Sequence, residues 1–569
     1  MKRRVLNMNV GVLGHIDSGK TSLVGALSTC LSTAALDKHP QSKERGITLD
    51  LGFSAFTVPI PEHLAHVPYD ELQFTLVDCP GHASLIRTVI GGAQIIDMMV
   101  LVIDITKGLQ AQTAECLVVG EVATSRMVVA LNKVDLLHPD NERPKAVRRA
   151  VKRLSQTFAM TKFVGVNMVP VSAKPHGLAD NPPLGVEDLK AALVAMVPPA
   201  PRLVSGPFLF AVDHCFPIKG QGSVLSGTVL QGSIAVSEML ELPALKEIRA
   251  VKSIQMFKVP VQRAAQGDRV GICVTQLDAG LLERGLACAP GTVPTFTCAV
   301  AAVEKIRFYA GRVPSRAKFH VSVGHSTVMA EATFFGTPDG EGVSRDVALA
   351  AMIANLDAMA LSGIPLPFDL HREYLYQEEL YGLEGRPLAS GPGSTRMLQG
   401  GDASFTDIHF GPQWALLKFE RPVTAPKDTL IIGGKFDADI HGEACRLAFY
   451  GRQVFLVDPT RQEELAQLRV YKIKLRKGFM ERLLPDGFTA IVCNLTKRNS
   501  DLAVFVGLKV VSGRGEEGVI EGAFGKSGKL KVLFPGGLVV QGRSMDDNIV
   551  TLHCKRHLFT KEPRAVLRQ

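Results

Sequence analysis

Long apolar runs are missing from this 569-residue sequence. No stretch approaches the ~18 residues that cross a membrane as a helix, and the most apolar one, 95–105, is broken by Asp97 and Asp104. No membrane partner is therefore expected. Paired cysteines are missing as well. The ten cysteines are scattered, and the two closest in sequence, Cys288 and Cys298, are ten residues apart. That leaves no CxxC pair for a zinc site and fits a reducing compartment better than a disulfide scaffold. The start, Met1-Lys2-Arg3-Arg4, runs into a short apolar strand and a glycine loop, without a long apolar stretch and cleavage site. Secretion is not expected. A cytoplasmic location is, with nuclear shuttling left open. No internal repeat of fixed period is visible.

A charge excess is absent from most of the chain. The formal net charge is +9, yet residues 468–569 alone carry 19 Lys and Arg against 9 Asp and Glu, and the remainder is close to neutral. A basic block of this kind either contacts nucleic-acid phosphates or forms a solvated face. Its confinement to one segment favours nucleic acid.

What is present is an ordinary soluble composition, 46% hydrophobic and 21% charged, in a length that suits several domains. Residues 5 to about 200 alternate apolar strands with helix-length segments. Val5–Leu13, Phe74–Val77, Met98–Ile103, Met127–Leu131 and Met168–Val171 read as buried parallel strands of a doubly wound α/β domain. Pro198-Pro199-Ala200-Pro201 ends it. Short β-rich runs punctuated by glycine then suggest a small barrel over 205–290 and a second over 295–460. The second is interrupted by an irregular insertion, 337–412, with a helix-like piece at Val347–Met359 and a tail expected to be partly disordered. A last β domain, 466–569, carries the basic excess. The expected architecture is an α/β domain (1–201) followed by β-barrel domains and an appended C-terminal β-barrel.

The chemistry concentrates in the first 200 residues. Gly14-His15-Ile16-Asp17-Ser18-Gly19-Lys20-Thr21 fits GxxxxGK[ST] between a strand and a helical pattern. Its backbone N–H groups and helix N-terminus suit phosphate oxygens. Lys20 reaches the β- and γ-phosphates, Thr21 ligates Mg²⁺, and Ser22 continues the loop into the helix. Asp78-Cys79-Pro80-Gly81-His82 follows a strand. Asp78 can hold the Mg²⁺ shell, and Gly81 can offer a bare N–H to the γ-phosphate. Asn132-Lys133-Val134-Asp135 follows the next strand, where the Asp135 carboxylate can accept from N1–H and the 2-amino group of guanine. Adenine lacks both donors and would leave it unpaired. Ser172-Ala173-Lys174 can close over the base. In this order, each at a strand C-terminus, the motifs specify GTP and make 1–201 an expected α/β P-loop GTPase domain, followed by the β-barrel domains. In Arg45-Gly46-Ile47-Thr48, Thr48 can complete the Mg²⁺ shell only when a γ-phosphate is present, as in a switch.

These motifs resemble the translational GTPases of the elongation factor Tu kind, and Lys219-Gly220-Gln221-Gly222-Ser223-Val224-Leu225-Ser226-Gly227-Thr228 is similar to that family's second domain. The resemblance covers roughly 5–335 and 414–455. It implies that His82 positions the attacking water once the ribosome engages, and that Asp17 helps bind a monovalent cation. A narrower resemblance is to the eukaryotic selenocysteine-specific branch. It rests on Thr48–Phe53, Val212-Asp213-His214-Cys215-Phe216, Gly267-Asp268-Arg269-Val270-Gly271-Ile272-Cys273, Asp437–His441 and the extra basic domain. Residues 337–412 match nothing in it. The branch implies that Asp213, His214 and Arg269 bind the selenocysteyl group. It further implies delivery of selenocysteyl-tRNA to the ribosome at recoded UGA codons, with the last domain facing tRNA, the selenocysteine-insertion mRNA hairpin or its binding protein. A selenol is largely ionised at neutral pH, so an Arg and a His favour it, while Asp213 can take the α-amino group.

Two other readings stay open. One is a general aminoacyl-tRNA or initiator-tRNA carrier of the same fold, against which the pocket residues and the basic domain stand. The other is a GTP-gated RNA-binding scaffold that does not hydrolyse, against which His82 stands.

Overall fold

The computed structural model of the chain describes all residues except 1–3, 32–50, 82–85, 138, 160, 176–180, 200–201, 203, 219, 221, 258, 283, 339–367, 383–385, 388–407, 410, 438–444, 497–501, 526–527, 539–547 and 560–569. The described residues fall into two compact units. One holds those of 1–332 and 416–456, the other those of 333–415 and 457–569.

In the first unit, the apolar runs become β1 (Val5–Gly14), β4 (Glu71–Asp78), β5 (Met98–Asp104), β6 (Met127–Asn132) and β7 (Asn167–Pro170). Neighbouring pairs among them are parallel. Two strands not read from the sequence, β2 (Cys30–Leu31) and β3 (Gly52–Pro59), extend the sheet antiparallel, giving the order β2-β3-β4-β1-β5-β6-β7. Every residue of β5 is buried, because both faces of the sheet are covered. Met98, Val100 and Val102 pack with α1 (Lys20–Leu27) and α5 (Val186–Ala195). Met99, Leu101 and Ile103 face the other way, toward α3 (Ala111–Ala123) and α4 (Arg143–Phe158). A short α2 spans Ile86–Ala93. The chain order reverses on either side of β1, so the crevice at its C-terminal end is the ligand-binding position of an open α/β sheet.

The second domain closes. Its strands run Met239–Leu242, Gly285–Cys288, Leu209–Ile218, Gly222–Gln231, Arg269–Val274 and Glu247–Met256, and the last pairs back with the first. The register of Leu209–Ile218 against Gly222–Gln231 slips between Val212 and His214, which makes Asp213 the extra residue of a bulge. A third, antiparallel β layer contains Thr295–Lys305, Ala317–Val323, Leu430–Gly434 and Leu447–Leu456.

Polar ties join the three domains of this unit. Arg202 sets Nη1 and Nη2 on the Asp97 carboxylate at 2.6 and 2.7 Å. Asn7 and Asn9 on β1 both donate to the carbonyl of Gly267, at 2.7 and 2.9 Å. Arg446 forks onto Glu115 of α3 at 3.0 and 2.8 Å with both side chains buried.

The second unit carries the basic excess. Its long strand Val470–Leu483 pairs antiparallel with Ile549–His557 and with Thr489–Cys493. The insertion read as irregular is not wholly so. Tyr374–Tyr376 forms a strand, parallel to the start of Val470–Leu483 and antiparallel to Phe335–Gly336. Burial of aromatic surface explains this: Tyr374 is 2% exposed and sits edge-on to Trp414 at 4.9 Å and to Phe335 at 5.5 Å. The helix-like piece at Val347–Met359 lies outside the described residues.

Candidate functional site

The loop expected to cradle the nucleotide lies at the C-terminal end of β1. Gly14, His15, Asp17, Ser18 and Gly19 form the turn from β1 into α1, and Lys20, Thr21 and Ser22 are that helix's first residues. Gly19 adopts φ 88°, and a side chain there would collide with the Asn132 amide. At Gly81 a Cβ would meet the Lys20 ammonium and crowd the Ile16 N–H at 3.1 Å, so a larger residue there would displace the Lys20 side chain. Lys20 Nζ donates to the His15 carbonyl at 2.8 Å. Burial pulls its pKa down, and Cys116, Asp78, Cys79 and Asp17 act the other way.

Thr21 Oγ1 donates to Asp78 Oδ2 at 2.7 Å, so two oxygens suited to a hard cation already converge. The buried Ser18 hydroxyl has no hydrogen-bond partner among the described residues. A magnesium nucleotide fits this donor and acceptor set. Thr48 and His82 lie outside the described residues.

The loop expected to read the base is tied to the loop expected to hold the phosphates. Asn132 Nδ2 donates to the Ser18 carbonyl at 2.8 Å, and its Oδ1 accepts from Ala173 N–H at 3.2 Å. Asp135 is 3% exposed, and its Oδ1 accepts from the Ser172 hydroxyl at 2.5 Å. Lys133, in the left-handed region at φ 65°, pairs with Asp104 at 2.8 Å, a partner that motif reading did not anticipate. Lys174 is exposed.

The second cluster lies in the second domain. The bulge at Asp213 re-aims its side chain so that Oδ2 meets Arg269 Nη1 at 2.6 Å, with both side chains almost wholly buried. Arg269 Nη1 also reaches Thr228 Oγ1 at 3.3 Å. Burial lowers the Arg269 pKa, and Asp213 opposes that. His214, the next residue on the bulged strand, is half-buried.

Two residues here carry no site role in the sequence motifs, although Phe53 closes the Thr48–Phe53 stretch that shares in the resemblance. Phe53 on β3 lays its ring against the Arg269 guanidinium, 3.1 Å from ring centroid to Cζ. His325, on the turn between Ala317–Val323 and Ser326–Gly336, keeps Nε2 sealed from solvent with no hydrogen-bond partner among the described residues. Burial lowers its pKa, Asp213 raises it, and Arg284 lowers it.

In the second unit, the strand Val470–Leu483 presents Lys472, Lys474, Arg476, Lys477 and Arg482, with cations over rings at Lys472–Tyr376 (3.6 Å) and Lys555–Tyr471 (5.0 Å). Counting charge overstated the open cationic surface. Lys472 pairs with Glu378 at 3.0 Å and Lys555 with Glu373 at 2.8 Å, both acids supplied by the insertion. Phe479 and Phe488 remain exposed on the same unit.

The chain is similar to known proteins along most of its length. Residues 6–199 match the elongation factor Tu GTP-binding domain, 300–451 the third domain of the eukaryotic selenocysteine-specific elongation factor, and 466–562 the C-terminal RIFT domain of eEFSec. A selenocysteine-specific elongation factor from Mus musculus is 47% identical over 557 residues, covering 96% of this chain and 91% of that one. One from Methanocaldococcus jannaschii is 34% identical over 328 residues, covering 57% and 65%. The crystal structure of elongation factor SelB from Methanococcus maripaludis with the GTP analogue GppNHp superposes with a TM-score of 0.66 at 23% identity, covering 98% of this chain and 99% of that one. That last likeness bears on the fold alone.

Proposed function

Since the chain belongs to the selenocysteine-specific elongation factors, we propose that it is the GTP-dependent carrier that delivers selenocysteyl-tRNA to the ribosome at recoded UGA codons. The observation that carries this reading is the buried Asp213–Arg269 pair at the bulge of the second domain. An arginine held in a dry site interacts far more strongly with an anion than one in water. A selenolate is an anion at neutral pH, whereas the hydroxyl of serine and most of the thiol of cysteine are not. Asp213 balances the arginine and can accept from the α-amino group, with His214 beside it.

GTP is the nucleotide. Lys20 and the loop N–H groups take the β- and γ-phosphates, Asn132 braces the loop, and Asp135 with Ser172 and Ala173 reads guanine. Thr21, Thr48 and, through its shell, Asp78 are the residues that would hold Mg²⁺, which neutralises phosphate charge when bound. His82 orients the attacking water on the ribosome, and Asp17 sits where a monovalent cation would bind. The last domain contacts RNA, either the tRNA or the selenocysteine-insertion hairpin, directly or through the hairpin's binding protein. Its cations interleaved with rings support that role.

The test is to sequence the tRNAs that co-purify with the GTP-bound protein. The selenocysteine tRNA should dominate. A mixture of elongator tRNAs, or initiator tRNA, would overturn the assignment.

A further inference from the structure

Phe53 begins as an ordinary core residue. It lies on β3, pairs with Val77 of β4, is fully buried, and belongs to the apolar cluster that runs from the GTPase sheet to Ala211 of the second domain. What sets it apart is the contact on its ring face. The Arg269 guanidinium lies over that face at 3.1 Å, while its edge is held by Asp213 at 2.6 Å and Thr228 at 3.3 Å, both through Nη1. Nη2 has no hydrogen-bond partner among the described residues, and Arg269 is 5% exposed.

This arrangement uses only part of what the Asp213–Arg269 pair could form. A guanidinium beside a carboxylate ordinarily turns to a two-point fork, which would consume both amino groups. Stacking on an aromatic ring fixes the guanidinium plane and strips water from one face. Here the plane set by Phe53 leaves one N–H₂ dry and unsatisfied, and a buried unsatisfied donor gains most from an incoming anion. Phe53 also lies five positions beyond Thr48, so the ring belongs to the strand that continues the nucleotide-sensing segment.

We propose that Phe53 is a positioning residue of the aminoacyl pocket: its ring holds the Arg269 guanidinium flat and dehydrated, with Nη2 available to an anionic side chain, and so ties charge selectivity to the GTPase domain. This rests on the reading of Asp213, His214 and Arg269 as the selenocysteyl site. The chemistry is general for any small anionic group of selenolate size on the aminoacyl end, and it gives no advantage to a neutral hydroxyl.

The experiment compares binding of selenocysteyl-tRNA and seryl-tRNA, on one tRNA body, to the full-length GTP-bound protein. Phe53→Leu keeps apolar volume and removes the π face; Phe53→Met serves the same purpose if the leucine variant does not fold. The preference for the selenocysteyl form should fall about tenfold, the scale of a desolvated cation–π contact, with GTP affinity unchanged. Phe53→Tyr, which retains the π face, should keep the preference. In an Arg269→Ala background, Phe53→Leu should produce no further loss. Equal weakening of both charged forms, or an unchanged ratio, would overturn the proposal and leave Phe53 as packing only. If Arg269→Ala abolishes the preference while Phe53→Leu spares it, the pocket stands and the role of Phe53 falls. If Arg269→Ala itself leaves the preference intact, both fall together.

Discussion

The Asn132 side chain donates to the Ser18 carbonyl across 2.8 Å and accepts from Ala173 N–H at 3.2 Å, so one buried amide joins the phosphate loop, β6 and the loop after β7. Asn132→Ala removes both bonds and leaves a buried carbonyl and a buried N–H without partners, about 1–3 kcal/mol for each group. GTP and GDP affinity should both fall at least tenfold in titrations with fluorescent nucleotide analogues. Retained affinity for both would show that the phosphate loop is braced elsewhere.

In the proposed site, base selectivity rests separately on Asp135, held by the Ser172 hydroxyl at 2.5 Å. Asp135→Asn exchanges an acceptor for a donor that can meet the 2-oxo group of xanthine. The variant should lose GTP and gain xanthosine triphosphate, measured by competition between the two. Continued preference for GTP would displace Asp135 from the base site.

Glu304 gives a pH prediction. It is half-buried, accepts from the Tyr450 hydroxyl at 2.6 Å, and desolvation of its carboxyl pushes its pKa up to about 7 while Tyr450 pulls the other way. The folded chain therefore holds this proton at pH values where the unfolded chain, near 4.5, has released it. Stability is lost as pH rises from about 4.5 toward 7 and levels off above that. Glu304→Gln cannot ionise, so its melting temperature should exceed that of the parent at pH 8 and match it more closely at pH 5. A constant difference between the two proteins across that range would mean that Glu304 does not titrate there.

On the proposed reading, His82 orients the water for hydrolysis. His82→Ala should leave GTP binding nearly intact and slow ribosome-stimulated hydrolysis about a hundredfold or more, the scale of lost proton-transfer and water-positioning help. A stimulated rate equal to the parent's would remove His82 from the mechanism.

Much of this was legible in the sequence. The five parallel strands announced themselves because a strand covered on both faces must be apolar throughout, as Met98–Asp104 is. Gly14–Thr21, Asn132–Asp135 and Ser172–Lys174 could be assigned because their chemistry depends on residue type at fixed spacing. β3 escaped because Gly52–Pro59 has no partner in its own sequence; its register is supplied by β4. Tyr374–Tyr376 escaped for the same reason, hidden in a stretch rich in glycine and proline. Phe53 reads as a core phenylalanine until the second domain packs on it. Glu373 and Glu378 lie 182 and 94 residues from Lys555 and Lys472, the lysines they pair with, beyond the reach of any count along the chain.

On the proposed reading, a dry arginine selects the anionic amino acid. The direct measurement is the affinity of the GTP-bound protein and of Arg269→Ala for selenocysteyl-tRNA and seryl-tRNA on one tRNA body, across the pKa of the selenol. The parent should prefer the selenocysteyl form, and the preference should shrink as falling pH neutralises the selenolate. Arg269→Ala should cost that form about 1.5–3 kcal/mol, a charged hydrogen bond's worth, and the seryl form much less. Equal losses for both forms, or a preference independent of pH, would contradict the account.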